Sequence, residues 1–142
     1  MTRSELLAFL QKHRLGVLST VSPSGDPEAA VVGIAVSDRL EIVFDTLDST
    51  RKCENLRRRN KIAFVIGWDE EITVQCEGIA DEPKETELDR LQKIYFAVYP
   101  DGPARLAWKG ITYFRVRLAW ARYSDFNSPG EIVEFTEREL NG

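Results

Sequence analysis

Nine consecutive residues, Phe44-Asp45-Thr46-Leu47-Asp48-Ser49-Thr50-Arg51-Lys52, hold the densest set of chemically capable groups in this 142-residue chain. An apolar, β-branched stretch delivers the chain to a hydroxyl-rich turn. The turn then opens a polar segment with two cations in its first positions. Unpaired backbone N–H groups at a helix start, hydroxyl donors and fixed positive charge together suit a phosphate monoester. Arg51 can give bidentate hydrogen bonds, while Lys52 acts as a point charge. Asp48 works the other way, because it can cap the same amides and would repel a dianion. The alternative is that Arg51 and Lys52 belong to a solvated helix face with Arg57, Arg58 and Arg59. Local chemistry leaves both readings open.

Other reactive groups are sparse. Cys53 and Cys76 form no CxxC pair, and with the lone His13 they fall short of the four ligands a structural zinc needs. No metal site is expected. A single histidine in the first helix, with no partner in view, reads as a surface residue and not as a catalyst. Trp68, Trp108, Tyr113 and Trp120 offer flat surfaces that suit either a ring-binding cleft or core and interface packing. The Arg57-Arg58-Arg59 run fans around a helix by about 100° per residue, so it makes no single basic stripe. Asp69-Glu70-Glu71 reads as an exposed turn.

These residues need a scaffold, and composition bounds it. With 19 basic and 23 acidic side chains the net charge is −4, and 43% of residues are hydrophobic. That balance excludes a disordered chain and speaks against a generic nucleic-acid or membrane-surface binder. The length suits one domain over residues 1–142 with a core of its own. No secretory apolar stretch follows Met1, and the most apolar run, Ala29 to Val36, is too short to span a bilayer. A cytoplasmic protein is the expectation.

Thr2-Arg3-Ser4-Glu5 is a capping box for a short helix reaching His13-Arg14. Strands are expected at Leu15 to Val21, Glu28 to Val36 and Arg39 to Thr46, in a meander. The polar helix from Arg51 to Arg59 follows, then strands at Lys61 to Trp68 and Glu71 to Asp81. Pro83 opens a helix striped by Leu88, Leu91, Ile94, Tyr95 and Val98. A long strand from Ile111 to Phe126 and a short one from Glu131 to Phe135 complete the chain. The inventory predicts a mainly β fold: a six- to seven-stranded antiparallel barrel with short flanking helices.

The order of these elements, with the strand–Thr46–turn–Arg51-Lys52–helix–strand passage, resembles the pyridoxamine 5′-phosphate oxidase-like FMN-binding split barrels. Thr73-Val74-Gln75-Cys76-Glu77-Gly78 is similar to that family's strand ending in Glu-Gly. The resemblance implies a split barrel, a homodimer with FMN at its interface, and flavin-dependent oxidoreduction of a small-molecule substrate. Arg51 and Lys52 would take the phosphate, with a hydroxyl from Ser49 or Thr50. Asp45 and Thr46 would lie beside the ribityl chain or ring edge. The strand carrying Val31, Val32 and Gly33 would present backbone groups to the ring, and Thr73 occupies the place where the true oxidases carry a Gln that touches the cofactor; of the aromatics above, Trp108 is the one expected at the cofactor. Similar barrels bind the deazaflavin F420 or haem, and F420 is the alternative cofactor. A flavin-binding stress-response module without turnover is the other reading. The family's Arg-x-His substrate pair has no match here, and Tyr99 stands where an Arg would be expected, although Tyr95 matches a substrate-site Tyr. Vitamin B6 phosphate oxidation is therefore not expected.

Overall fold

The structure, a computed structural model, describes residues 1–142. Helix α1 (Arg3–Gln11) is capped by Thr2 and Glu5 in the reciprocal box that the sequence predicts. It is followed by β1 (Leu15–Val21), β2 (Pro27–Gly33), β3 (Ala35–Val36), β4 (Glu41–Leu47), α2 (Arg51–Arg58), β5 (Lys61–Ile66) and β6 (Ile72–Asp81). Then come α3 (Glu85–Val98), α4 (Gly102–Arg105), β7 (Ile111–Asp125), β8 (Glu131–Thr136) and α5 (Glu137–Asn141).

All pairings are antiparallel, in the order β2-β1-β5-β6-β7-β4-β3, with β8 added to β7. This is the expected split barrel with short flanking helices. The predicted second strand is divided at Ile34, whose amide turns to the Arg14 carbonyl at 2.9 Å. Its halves, β2 and β3, are the two ends of the sheet, so a single residue joins the ends covalently. The expected meander stops there: β4 meets the predicted second strand only at Ala35 and Val36, and its main partner is β7. β7 pairs with β4 along Ile111 to Arg117, then with β8 along Trp120 to Asp125, while β6 lies on its other edge. A bulge between Glu77 and Gly78 turns β6, and a side chain at Gly78 would strike the Arg117 carbonyl.

Alternation along each strand fills the barrel. Phe44 from β4 stacks on Phe114 at 5.6 Å between centroids and meets Phe64 edge-on at 6.2 Å. Burying each such ring contributes roughly 1.5–3 kcal/mol. Leu6 and Leu10 of α1 and Leu140 of α5 join this core. A second cluster lies outside the barrel, where Leu91 and Tyr95 of α3 cover Ala35, Val43 and Tyr113. The α3 helix starts at Glu85 and not at Pro83, and α4 and α5 are additions to the sequence expectation. His13 lies beyond the end of α1, half-buried, with its ring 4.5 Å from Phe9. No helix is long and apolar enough to cross a membrane.

Candidate functional site

The turn between β4 and α2 is built by hydroxyls. Thr50, with extended backbone, caps α2: its Oγ1 accepts from the Cys53 amide at 3.3 Å. The same hydroxyl donates to the Leu47 carbonyl at 2.8 Å. A hydroxyl has one proton, so the 2.9 Å contact with Thr46 must be a bond that Thr46 donates. Both threonine protons are thereby spent inside the turn. Ser49 is exposed and makes no hydrogen bond, so it is the free hydroxyl here. Asp48 does not cap the helix. Its amide donates to the Gly110 carbonyl at 2.8 Å, and its carboxylate packs over Gly110, where a side chain would collide with it.

The amides of Arg51 and Lys52, in the first turn of α2, have no acceptor. They open beside a cleft of about 600 Å³ lined by Leu18 and Thr20 of β1, by Pro27 to Ala30 of β2, and by Thr50, Arg51 and Lys52. Ala29 and Ala30 keep its β2 wall low. Lys52 is half-buried and makes no ion pair, whereas Arg51 is ion-paired to Glu28 across the cleft. The Arg51 guanidinium and then the Asn55 amide hold the Glu28 carboxyl below its ordinary range. Arg57 and Arg58 lie elsewhere on α2, on Glu82 and Glu54 respectively.

The structure thus gathers Thr50, Arg51 and Lys52 at one cleft, with Thr46 behind and Ser49 beside them. Val31 and Val32 follow Ala30 on β2, beyond the residues that line the cleft, and point opposite ways: Val31 is 61% exposed, and Val32 belongs to the barrel core. Gly33 sits under the Tyr99 ring, where an added Cβ would be 2.7 Å from Oη. Asp45 is not gathered with Thr46, because neighbours on a strand face opposite sides. It accepts from Tyr95 Oη and from Arg105 Nε, each at 3.0 Å, beneath α3 and α4. Burial and then the Asp45 charge raise the Tyr95 phenol above its ordinary range. Tyr113, opposite Asp45 on β7, has a buried hydroxyl with no partner. Thr73 faces Ser124 on β6–β7, also with its hydroxyl buried and unpaired, and Trp108 is exposed after α4. Neither lines the cleft of this chain.

Sequence reasoning missed Glu28, Thr20 and Asn55. The Asn55 amide donates to Glu28 Oε1 at 2.8 Å and to Thr20 Oγ1 at 3.0 Å. A signal was present, since Asn55 lies one helical turn after Arg51, on the same face. Thr20 and Glu28 are direct partners across the β1–β2 hairpin.

The family description Pyridoxamine 5′-phosphate oxidase matches residues 2–125. A pyridoxine/pyridoxamine 5′-phosphate oxidase of Burkholderia mallei is 37% identical over 107 residues, which is 75% of this chain and 48% of that protein. The chain therefore spans about half the length of the curated relatives it matches. Among solved structures, a heme binding protein from Mycobacterium smegmatis superposes with a TM-score of 0.83 at 16% identity, over 98% of this chain and 58% of that one. A pyridoxamine 5′-phosphate oxidase-related, FMN binding protein from Nostoc punctiforme gives 0.68 at 14% identity, over 94% and 85%. At those identities the likeness is one of fold.

Proposed function

The chain belongs to the pyridoxamine 5′-phosphate oxidase family, and from that premise we propose that it binds FMN and acts as a small flavin-dependent oxidoreductase on a small-molecule substrate. One observation carries the reading: two unpaired helix amides, the Arg51 guanidinium and the free Lys52 ammonium open on one low-walled cleft. This donor set fits a terminal phosphate.

Bound flavin would supply the electron-transfer chemistry. The protein's own part is to bind, orient and shield. Arg51 and Lys52 would hold the phosphate, with Ser49 able to add a hydroxyl. Thr46 and Thr50, each bonded inward, hold the first turn of α2 beside the cleft and offer it no proton. The β2 strand pairs only with β1, so its other edge has backbone groups available for ring heteroatoms. A homodimer with the cofactor at its interface suits the outer sheet face. There Val31, Val17 and Val65 lie side by side across three strands, two of them well exposed. Asp45, Tyr95 and Arg105 form a separate polar group under α3.

Replacing Arg51 and Lys52 together with alanine tests the reading. Charge-assisted hydrogen bonds contribute roughly 1.5–3 kcal/mol each, so FMN affinity, read by flavin fluorescence quenching, should fall on the order of 10²–10⁴-fold. The far-ultraviolet circular dichroism should stay unchanged, and riboflavin binding should hardly respond. Unchanged FMN affinity in the double variant overturns the proposal.

A further inference from the structure

We propose that Glu28 is a specificity-determining residue of the phosphate cleft. It is a built-in carboxylate that competes for Arg51 and biases the site against doubly charged phosphate relative to singly charged. The inference rests on the phosphate reading above and deepens it.

The carboxylate is held from behind. Oε1 accepts from Asn55, which is 2% exposed and whose amide is also spent on Thr20, itself 2% exposed. Strands β1 and β2 and helix α2 each contribute one member of this triad. Oε2 faces the cleft and takes Arg51. The two partners differ in freedom: the Arg51 side chain is 77% exposed, and that of Glu28 is 20% exposed. An arriving anion can draw Arg51 outward, but Glu28 stays anchored to buried Asn55. It therefore remains in the cleft as an unshared negative charge. With Arg51 and Lys52 against Glu28, the lining carries a net charge of +1. A phosphodiester brings that sum to zero, and a dianionic monoester takes it to −1. Two like unit charges sharing a partly hydrated cleft cost about tenfold in affinity. An Arg–Lys clamp without such a carboxylate would favour the dianion.

The test compares Glu28→Gln with the unaltered protein, because glutamine keeps an oxygen acceptor for Asn55 while it removes the charge and turns an uncharged NH2 to the cleft in place of Oε2. Three probes are titrated by fluorescence quenching: FMN, its phosphate methyl ester with one charge, and riboflavin with none. Glu28→Gln should tighten FMN about 100-fold, the methyl ester about tenfold, and riboflavin not at all. Equal changes for all three probes, or weaker FMN binding in the variant, overturn the role of Glu28. If the unaltered protein prefers FMN to riboflavin and Glu28→Gln leaves all affinities unchanged, the phosphate reading stands and this inference fails. If the unaltered protein binds FMN no better than riboflavin, both fail. Should Glu28→Gln not fold, Glu28→Ala is titrated in its place, with the same ordering expected.

Discussion

Arg115 and Arg90 offer a quantitative test of how α3 is held to the barrel. Arg115 is 5% exposed and gives four hydrogen bonds: to Asp81 at 2.9 and 2.6 Å, to Glu87 at 2.8 Å and to Glu41 at 3.2 Å. Glu41, also 5% exposed, takes two more from Arg90, at 2.9 and 2.8 Å, and one from Ser37 at 2.8 Å. Arg115→Met leaves Asp81 and Glu87 free to turn to water, and Glu41 keeps Arg90. The cost should therefore fall below the roughly 3–5 kcal/mol of a broken buried pair, at about 2 kcal/mol. Arg90→Met should cost about the same, for the mirrored reason. In the double variant Glu41 has lost both of its ion-pair partners, and the penalties should exceed their sum. Its escape is to take up a proton, which at pH 7 costs about 1.36 × (7 − 4.3), or nearly 4 kcal/mol. That sets the ceiling on the coupling, which should lie between about 1 and 4 kcal/mol. At pH 5 the same escape costs only about 1 kcal/mol, so the coupling should shrink. Urea denaturation of all four proteins at both pH values measures it. For 142 residues the unfolding entropy is roughly 0.3 kcal/mol/K, so each single variant should melt about 7 °C lower. An additive double variant at pH 7, or a coupling that grows at pH 5, would refute the argument.

Two further outcomes follow from the same structure. Gly33→Ala places a methyl group 2.7 Å from Tyr99 Oη, which should displace that ring and cost roughly 1–3 kcal/mol in urea denaturation; adding Tyr99→Ala should make the glycine change nearly neutral. In acid, Glu87 is held down to about 2 by Arg90 and then Arg115, and Glu41 stays below its ordinary range because Arg90, Ser37 and Arg115 outweigh its burial. Depressed carboxyls contribute stability that is present above their unfolded value of about 4.3 and is lost as pH falls through the folded value. The urea midpoint should accordingly hold from pH 7 to pH 5 and fall between about pH 4.5 and pH 2.

Strands and the helix start were legible in local pattern. The β-branched run Leu15–Val21 is a strand with those bounds, and the Ser49-Thr50 turn does open a helix at Arg51. Strict alternation would also have separated Asp45 from Thr46, since that rule needs no tertiary knowledge. Likewise, Thr136 followed by Glu139 is a capping pattern that marks α5, where the Thr136 hydroxyl accepts from the Glu139 amide at 3.3 Å. Other features are not local. Glu28 meets Arg51 only because the β1–β2 hairpin folds against α2, and a glutamate 23 positions away carries no mark of that meeting. Breaking the second strand at Ile34 depends on the amide finding the Arg14 carbonyl, which strand propensity does not encode.

The one-residue joint at Ile34 also constrains where this protein can be altered. The two sheet ends that it links have no slack, so neither margin can shift in register without pulling on the other. Length changes at Gly33 to Ala35 would alter the circumference of the barrel itself, whereas the Ser22–Asp26 and Asn127–Gly130 turns sit outside that closed path. New chain ends, inserted loops or fused partners belong at those turns. The cleft wall on β2 is consequently fastened at both ends, to β1 through the hairpin and to β4 through the joint. Its position is a property of the whole hoop rather than of the strand that forms it.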